Sequence, residues 1–273
     1  MPSSSPKSSA GPRSASGPRS ASGPRSASGK ERVDKMLVDR GLAPTRARGQ
    51  AMIMAGLVYS GTRRIDKAGD LILRDAELTV KGSDHPWVSR GGMKLAHALE
   101  HFSLDPKERT AIDVGASTGG FTDVLLTHGA AKVYAIDVGH GQLAWKLRQD
   151  PRVVVMERTN ARNLGRDRIP DPADVIVCDA SFIGLETVLP AALGLAAANA
   201  WCVALIKPQF EVGPDRVGKG GVVRDPELHS EVCARIEAWF AALPGWTVIG
   251  ITESPILGPE GNKEFLIAAR RTS

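Results

Sequence analysis

The sequence predicts an α/β protein: a doubly wound parallel sheet over residues 90–273, with a smaller α+β unit ahead of it. Three observations carry this. Apolar runs alternate with segments of helical period from residue 111 to residue 269. The early runs at 133–138, 153–157 and 174–179 are nearly continuously apolar, as strands covered on both faces must be. Finally, Ala111-Ile112 leads through Asp113-Val114-Gly115-Ala116-Ser117-Thr118-Gly119-Gly120-Phe121 to a helix start at Thr122, which reads as strand, glycine turn and helix. Glycines at such a turn let the backbone approach a ligand, and a helix N-terminus offers it free N–H groups.

A hydrophobic share of 42% with 5% aromatic residues is ordinary for a globular chain with a sizeable core. The net charge of +5 is unevenly spread: residues 1–30 carry Lys7, Arg13, Arg19, Arg25 and Lys30 with no acid, and residues 31–81 hold ten basic and seven acidic side chains. The remainder is net acidic. A basic excess in the N-terminal third is the footprint expected of a nucleic-acid binder. Cys178, Cys202 and Cys233 are far apart and lack C-x-x-C spacing, which argues against a zinc ribbon or disulfide framework and fits a reducing, cytoplasmic setting. The N-terminus has no apolar segment, so no signal peptide is expected. The uncharged run 188–206 has the length of a membrane span, but Pro190, Gly194 and Asn199 interrupt it. It divides into an Ala/Leu helix and a buried strand.

Residues 11–28 are three copies of Gly-Pro-Arg-Ser-Ala-Ser, too polar to bury anything, so residues 1–30 are expected to form a disordered basic tail. In 31–81, Val33, Met36, Leu37 and Arg40 fall at helical spacing and Gly41-Leu42 closes that helix. Thr45 caps a second helix running to Ala55, with Arg46, Arg48 and Gln50 on its early turns. Short segments at 57–59, 65, 71–73 and 78–80 make a small curled sheet. The stretches Arg32-Val33-Asp34-Lys35-Met36-Leu37, Arg40-Gly41-Leu42, Thr45-Arg46-Ala47-Arg48 and Ala55-Gly56-Leu57-Val58 resemble the S4-type RNA-binding domain of ribosomal protein S4. That resemblance implies that Arg32, Arg46 and Arg48 meet phosphates, which position RNA without reading its sequence.

Residues 82–89 read as a linker. Leu95, Ala98, Leu99 and Phe102 then form the apolar stripe of a helix, with Lys94, His97 and His101 on its other side. His97-Ala98-Leu99-Glu100-His101 matches the metalloprotease pattern H-x-x-E-H. Three fixed positions recur by chance and no further ligand follows, so no metal is expected and the histidines are read as exposed or RNA-facing. Beyond the glycine turn, helices at 142–149, 185–198 and 227–243 alternate with strands at 133–138, 153–157, 174–179, 201–207, 247–252 and 264–269. The last strand is expected to be antiparallel. The pattern resembles Rossmann-like methyltransferases, whose ligands sit at the carboxyl ends of the strands.

A dinucleotide fingerprint needs G-x-G-x-x-G, and with glycines at 115, 119 and 120 its second glycine is missing. The spacing suits S-adenosylmethionine better. The cofactor site is expected at Asp113, Gly115, Ala116, Ser117, Thr118, Gly119, Gly120 and Phe121, at Asp137 and Val138 after the second strand, at Asn160 and Ala161 after the third, and at Asp179 after the fourth. Asp137 is placed to accept hydrogen bonds from ribose hydroxyls, and Asn160-Ala161-Arg162 to meet an adenine edge. Asp179-Ala180-Ser181-Phe182 lacks the Pro-Pro-aromatic of amine methylation, and Cys178 and Cys202 read as strand-interior, which leaves pyrimidine-carbon methylation without a nucleophile. The fifth strand ends in Lys207, costly there unless partnered, and the last opens with Glu264. Lys94, Asp179, Lys207 and Glu264 would thus converge where strands end, which fits transfer to a ribose hydroxyl. Lys207 is read as base or hydroxyl-orienting group, Asp179 and Glu264 as holding it, and Lys94 as fixing the hydroxyl or the adjacent phosphate. Burial and Lys94 lower the basicity of Lys207 while the carboxylates raise it, and the balance stays open. The glycine-rich segment 211–225, with Arg216, Lys219 and Arg224, reads as an RNA-contacting lid or a mobile loop.

Trp87-Val88-Ser89-Arg90-Gly91 with Lys94, the turn 113–122, Asp137-Val138-Gly139 with Gly141-Gln142-Leu143-Ala144-Trp145, Glu157-Arg158-Thr159-Asn160-Ala161-Arg162, Asp179-Ala180-Ser181-Phe182-Ile183, Lys207-Pro208-Gln209-Phe210-Glu211-Val212-Gly213 and Gly221-Val222-Val223 together resemble the TlyA family. This family joins an S4-type domain to an FtsJ-like ribose methyltransferase domain. The resemblance spans 31–271 and implies 2'-O-methylation of ribosomal RNA on cytidines, with S-adenosylmethionine as cofactor and Lys94, Asp179, Lys207 and Glu264 as catalytic residues. Arg90, Arg216 and Lys219 would join Arg32, Arg46 and Arg48 on the RNA. The implied layout is a tail at 1–30, an S4-like domain at 31–81, a linker at 82–89 and an FtsJ-like domain at 90–273. His85-Pro86 stands where the family carries a basic residue ahead of Trp87. Two other readings stand beside this one: a membrane-active haemolysin, supported only by the run 188–206, and a non-catalytic RNA-binding factor of ribosome assembly.

Overall fold

The computed structural model describes residues 29–272 except 41, 44, 55 and 81–84, and the chain divides into two units, Met1–Lys81 and Gly82–Ser273. The tail up to residue 28, Gly41 and residues 82–84 of the linker lie outside the described residues.

The first unit contains β1 (Lys30–Arg32), α1 (Val33–Asp39), α2 (Arg46–Met54), β2 (Val58–Ser60), β3 (Arg63–Arg64), β4 (Leu71–Leu73) and β5 (Leu78–Val80). Its core joins the predicted stripe Val33, Met36 and Leu37 to Ile53, Val58, Ile65 and Leu78. Thr45 Oγ1 accepts the Arg48 N–H at 3.2 Å, the capping contact that starts α2. The expected single sheet is two. β3, β2 and β5 form one, and β4 pairs with β1, matching Lys30 to Leu73 and Arg32 to Leu71. A three-residue strand of charged side chains has no apolar alternation to announce it; only the partner strand creates it.

An unforeseen polar centre holds this unit together. The Asp34 side chain is fully buried, and its carboxylate accepts from Arg32 Nε and Nη2 at 3.0 and 2.9 Å, Arg46 Nη2 at 3.0 Å and Gln50 Nε2 at 2.9 Å. The Arg32 guanidinium holds its carboxyl well below the usual carboxylate range, against the opposing effect of burial.

The second unit runs through α3 (Gly91–His101), β6 (Thr110–Val114), α4 (Gly120–Thr127), β7 (Lys132–Ile136), α5 (Trp145–Arg148), β8 (Val153–Met156), β9 (Ala173–Cys178), α6 (Leu185–Val188), α7 (Pro190–Leu193), β10 (Ala196–Ile206), α8 (Pro208–Glu211), α9 (Pro226–Ala242), β11 (Trp246–Glu253) and β12 (Phe265–Arg271). They build a seven-stranded sheet in the order β11-β12-β10-β9-β6-β7-β8. β10, β9, β6, β7 and β8 are parallel, and β12 is antiparallel to both its neighbours, as expected of the last strand. Leu95, Leu99, Val124, Leu125 and Leu147 of α3, α4 and α5 pack on one face. Leu185, Ala192, Leu193, Val232, Ile236 and Phe240 of α6, α7 and α9 pack on the other, so the sheet is covered on both sides.

Two elements depart from expectation. The helix predicted over 185–198 is two short helices, with Pro190 at the first position of α7, and the chain is already a strand at Ala196. The alanines there have helical propensity, but pairing of Ala196 with Ala173 and of Trp201 with Val175, across an irregularity that puts Asn199 at φ 62°, overrides it. The helix predicted over 142–149 shrinks to α5.

The Asp34 centre yields a prediction. A depressed carboxyl pKa means stabilisation that is complete above the ordinary carboxylate value and lost as pH falls below it. Asp34→Ala is expected to cost the first unit about 2–3 kcal/mol at neutral pH, with faster amide exchange within residues 29–80 and little change within 87–272, measured on the full chain.

Candidate active site

β6, β7, β9 and β10 end along one edge of the sheet, and β12, running against them, begins there. Ile206 pairs with Phe265, which puts Lys207, just past β10, and Glu264, just ahead of β12, on that edge. The four predicted catalytic side chains stand there as two ion pairs. Lys207 Nζ lies 2.7 Å from Asp179 Oδ1 and also donates to the Asp179 carbonyl at 3.2 Å and to Ser181 Oγ at 2.9 Å. Lys94 Nζ lies 2.5 Å from Glu264 Oε2, so Glu264 partners Lys94 and not Lys207. The side chains of Lys94, Lys207 and Glu264 are 8%, 7% and 0% exposed, against 23% for Asp179, so both lysines depend on their carboxylates. Gln209 Nε2 donates to Glu264 Oε1 at 3.4 Å. Gly258 leaves the room Glu264 needs, since a Cβ there would come 2.1 Å from Oε1.

Beside the pairs opens a cavity of about 450 Å³, within the usual size of a small-molecule site. Of the predicted cofactor residues, Gly115, Ser117, Asp137, Val138, Asn160, Ala161 and Asp179 line it. Ala116, Gly119, Gly120 and Phe121 are buried behind the turn, Thr118 accepts the Ala144 N–H at 3.1 Å, and Asp113 is wholly buried. At Gly115, φ is 83° and a Cβ would meet Ala180 backbone at 2.9 Å, so only glycine lets the turn lie against the end of β9. Asp137 braces the same turn: its Oδ2 accepts the Ser117 N–H at 2.8 Å and its Oδ1 the Gly139 N–H at 2.7 Å. Each oxygen keeps a lone pair for a ligand hydroxyl.

Sequence reasoning missed Ser181 and Gln209, whose partners Lys207 and Glu264 are distant in sequence. It also missed the exposure of Phe182, whose 88% exposed ring lines the cavity at φ 64°, a rare conformation for a bulky residue, with the Phe210 ring centroid 4.9 Å away. Burial pushes the Cys178 thiol up to about 12 and raises Cys202 as well, which silences both as nucleophiles.

Three of the predicted RNA-facing residues belong to the first unit and three to the second. Arg32 and Arg46 share Asp34 yet are 46% and 55% exposed, and Arg48, Arg90 and Lys219 are exposed. Arg216 forms a bidentate pair with Glu231 at 2.8 and 2.7 Å. The 211–225 segment is tied at its base, because Asn262 bonds the Val223 N–H and the Gly221 carbonyl at 3.0 Å each and His229 meets the Val223 carbonyl at 2.9 Å. His97 and His101 stack at 5.7 Å, and among the described residues no three His, Cys, Asp or Glu side chains stand where they could hold a metal.

The FtsJ-like methyltransferase model matches residues 87–271 and the S4 domain model residues 31–78. YqxC of Bacillus subtilis is 51% identical over 87% of this chain and 85% of its own. The 16S/23S rRNA (cytidine-2'-O)-methyltransferase TlyA of Mycobacterium tuberculosis is 48% identical over 88% of this chain and 90% of its own. A solved structure from Streptococcus thermophilus that carries the name hemolysin is 44% identical, covers 90% of both chains and superposes with a TM-score of 0.70.

Asp113 provides the test at this site. Burial pushes its carboxyl up to about 7; the Thr122 hydroxyl, donating to Oδ2 at 2.6 Å, lowers it, and the Asp179 charge raises it again. A raised carboxyl favours the fold below the ordinary carboxylate range, and that contribution is lost as pH rises to about 7. Asp113→Asn, which cannot ionise, is therefore expected to match wild type in melting temperature near the low end of that window. Above it, the variant should be more stable by up to about 4 kcal/mol, read by thermal denaturation across pH.

Proposed function

We propose that this chain, which belongs to the FtsJ-like methyltransferase family and to its TlyA branch, methylates the 2'-hydroxyl of a cytidine ribose in ribosomal RNA with S-adenosylmethionine as donor, acting in the cytoplasm. The observation that carries this is the pair of buried lysine–carboxylate pairs on the sheet edge beside the cavity. Such pairs add little net stability, so burying two of them at one edge of the sheet speaks for chemistry.

The cavity fits the cofactor. Gly115 allows close backbone approach, the Asp137 carboxylate can receive ribose hydroxyls, and Ile136, Val138 and Ile183 give apolar walls for a purine. Bound S-adenosylmethionine supplies an electrophilic methyl group on a sulfonium. A ribose hydroxyl is a weak nucleophile until its proton is drawn away, and this is the work of Lys207, held by Asp179. Lys94, fixed by Glu264, orients the hydroxyl or the adjacent phosphate. The base of that nucleotide must leave its stack for its sugar to reach a recessed edge, and the exposed Phe182 ring offers it a platform. Arg32, Arg46 and Arg48 of the first unit, with Arg90 and Lys219, supply phosphate contacts that hold the RNA; Arg216 would first have to leave Glu231. As for the haemolysin name borne by relatives, no helix among the described residues is long and apolar enough to cross a membrane.

With labelled S-adenosylmethionine and ribosomal subunits or rRNA, wild type is expected to transfer methyl groups and Lys207→Ala and Lys94→Ala to do so about 10²-fold more slowly or worse. Asp137→Ala is expected to weaken cofactor binding about 10-fold by calorimetry, the loss of one charged hydrogen-bonding partner. A Lys207→Ala chain that transfers at the wild-type rate would overturn the reading.

A further inference from the structure

The cavity wall includes Asp179 and Ser181, whereas the three other residues of the two ion pairs do not line it. Lys207 is 7% exposed, and its Nζ is ion-paired with Asp179 Oδ1 at 2.7 Å and donates to the Asp179 carbonyl at 3.2 Å and to Ser181 Oγ at 2.9 Å. An ammonium in that setting is already engaged by three oxygens within 3.2 Å before a substrate hydroxyl arrives. Two of the three, the Asp179 carboxylate and carbonyl oxygens, can only accept. Ser181 differs, because a hydroxyl can accept from an ammonium or donate to the lone pair of a neutral amine. Its side chain is also exposed, in the loop that turns at Phe182 (φ 64°) into the cavity mouth.

We propose that Ser181 is a catalytic residue that relays the ribose proton to Lys207. The inference rests on the ribose methylation read above. Once Lys207 has released a proton to solvent, its two remaining N–H bonds serve Asp179 and its lone pair receives the Ser181 O–H. The incoming 2'-hydroxyl donates to Ser181 Oγ. As the ribose oxygen bonds to the methyl carbon and the C–S electron pair stays on sulfur, the ribose O–H bond breaks and a new Oγ–H bond forms. The original Ser181 proton passes to Nζ. One proton has moved from ribose to lysine, serine is regenerated, and Lys207 is an ammonium donating to Ser181 Oγ, the arrangement the structure holds.

Single-turnover methyl transfer by the full chain to ribosomal RNA, at saturating cofactor, tests this with Ser181→Ala and Ser181→Thr. Ser181→Ala is expected to slow transfer about 10–100-fold. Its affinities for cofactor and RNA, by calorimetry, should stay within about twofold of wild type, since the hydroxyl acts on the proton and not on binding. Ser181→Thr, which keeps the hydroxyl, should retain most of the rate. In mixtures of H₂O and D₂O the wild-type rate should curve with deuterium fraction, the mark of two protons in flight, and the Ser181→Ala rate should be linear. An unchanged Ser181→Ala rate, an equal loss in Ser181→Thr, or a linear wild-type inventory would overturn the relay while leaving ribose methylation standing. A wild-type chain that transfers no methyl group would overturn the underlying reading, and the relay with it.

Discussion

Two lysines buried at the end of an apolar sheet must each meet a carboxylate there, and the second unit is arranged around that requirement. Parallel strands bring only their carboxyl ends to this edge, which supplies Lys207 after β10 and Asp179 after β9. The carboxylate that meets Lys94 comes from a strand that starts where the others finish. β12 does this by running antiparallel between β11 and β10, so that Glu264 enters the edge at the start of its strand. The reversed strand is therefore the means by which the second acid reaches the site. Lys94 comes from α3, which packs across the sheet face and delivers its fourth residue to Glu264.

The cavity and the ion pairs meet at one short segment. Asp179 grips Lys207 with one oxygen and borders the cavity, Ala180 lies against Gly115, Ser181 bonds Lys207, and Phe182 stands in solvent. Four consecutive residues thus connect the glycine turn, the buried lysine and the exposed mouth of the cavity. This explains why the segment carries no element of regular structure: a helix would turn successive side chains in directions that cannot serve all three neighbours.

Much of this was legible in the sequence, for physical reasons. Apolar runs with a period switch mark buried strands and their helices, and a charged residue at the end of such a run has to be explained, which is how Lys207 and Glu264 stood out. Partner choice was less legible: the sequence suggested that Glu264 holds Lys207, while the fold gives it to Lys94, because pairing depends on where α3 crosses the sheet. Ser181 and Gln209 are ordinary polar residues whose role comes from a neighbour distant in sequence. β1 and the Asp34 centre were illegible for the same reason: Lys30–Arg32 becomes a strand only against Leu71–Leu73, and nothing local marks Asp34 as buried, since Arg32, Arg46 and Gln50 close over it only in the fold. Helix 185–198 failed because local propensity lost to sheet pairing.

In the proposed function the two buried pairs direct methylation to a ribose oxygen. Alkaline hydrolysis mapping tests it most directly, because a 2'-O-methyl group blocks backbone cleavage whereas methylation of a base does not. Ribosomal RNA from cells expressing the wild-type chain should show protection after a cytidine, and the same position should be cleaved when the chain is absent or carries Glu264→Gln. Identical cleavage maps in all three, with methylation found on a base, would contradict the account.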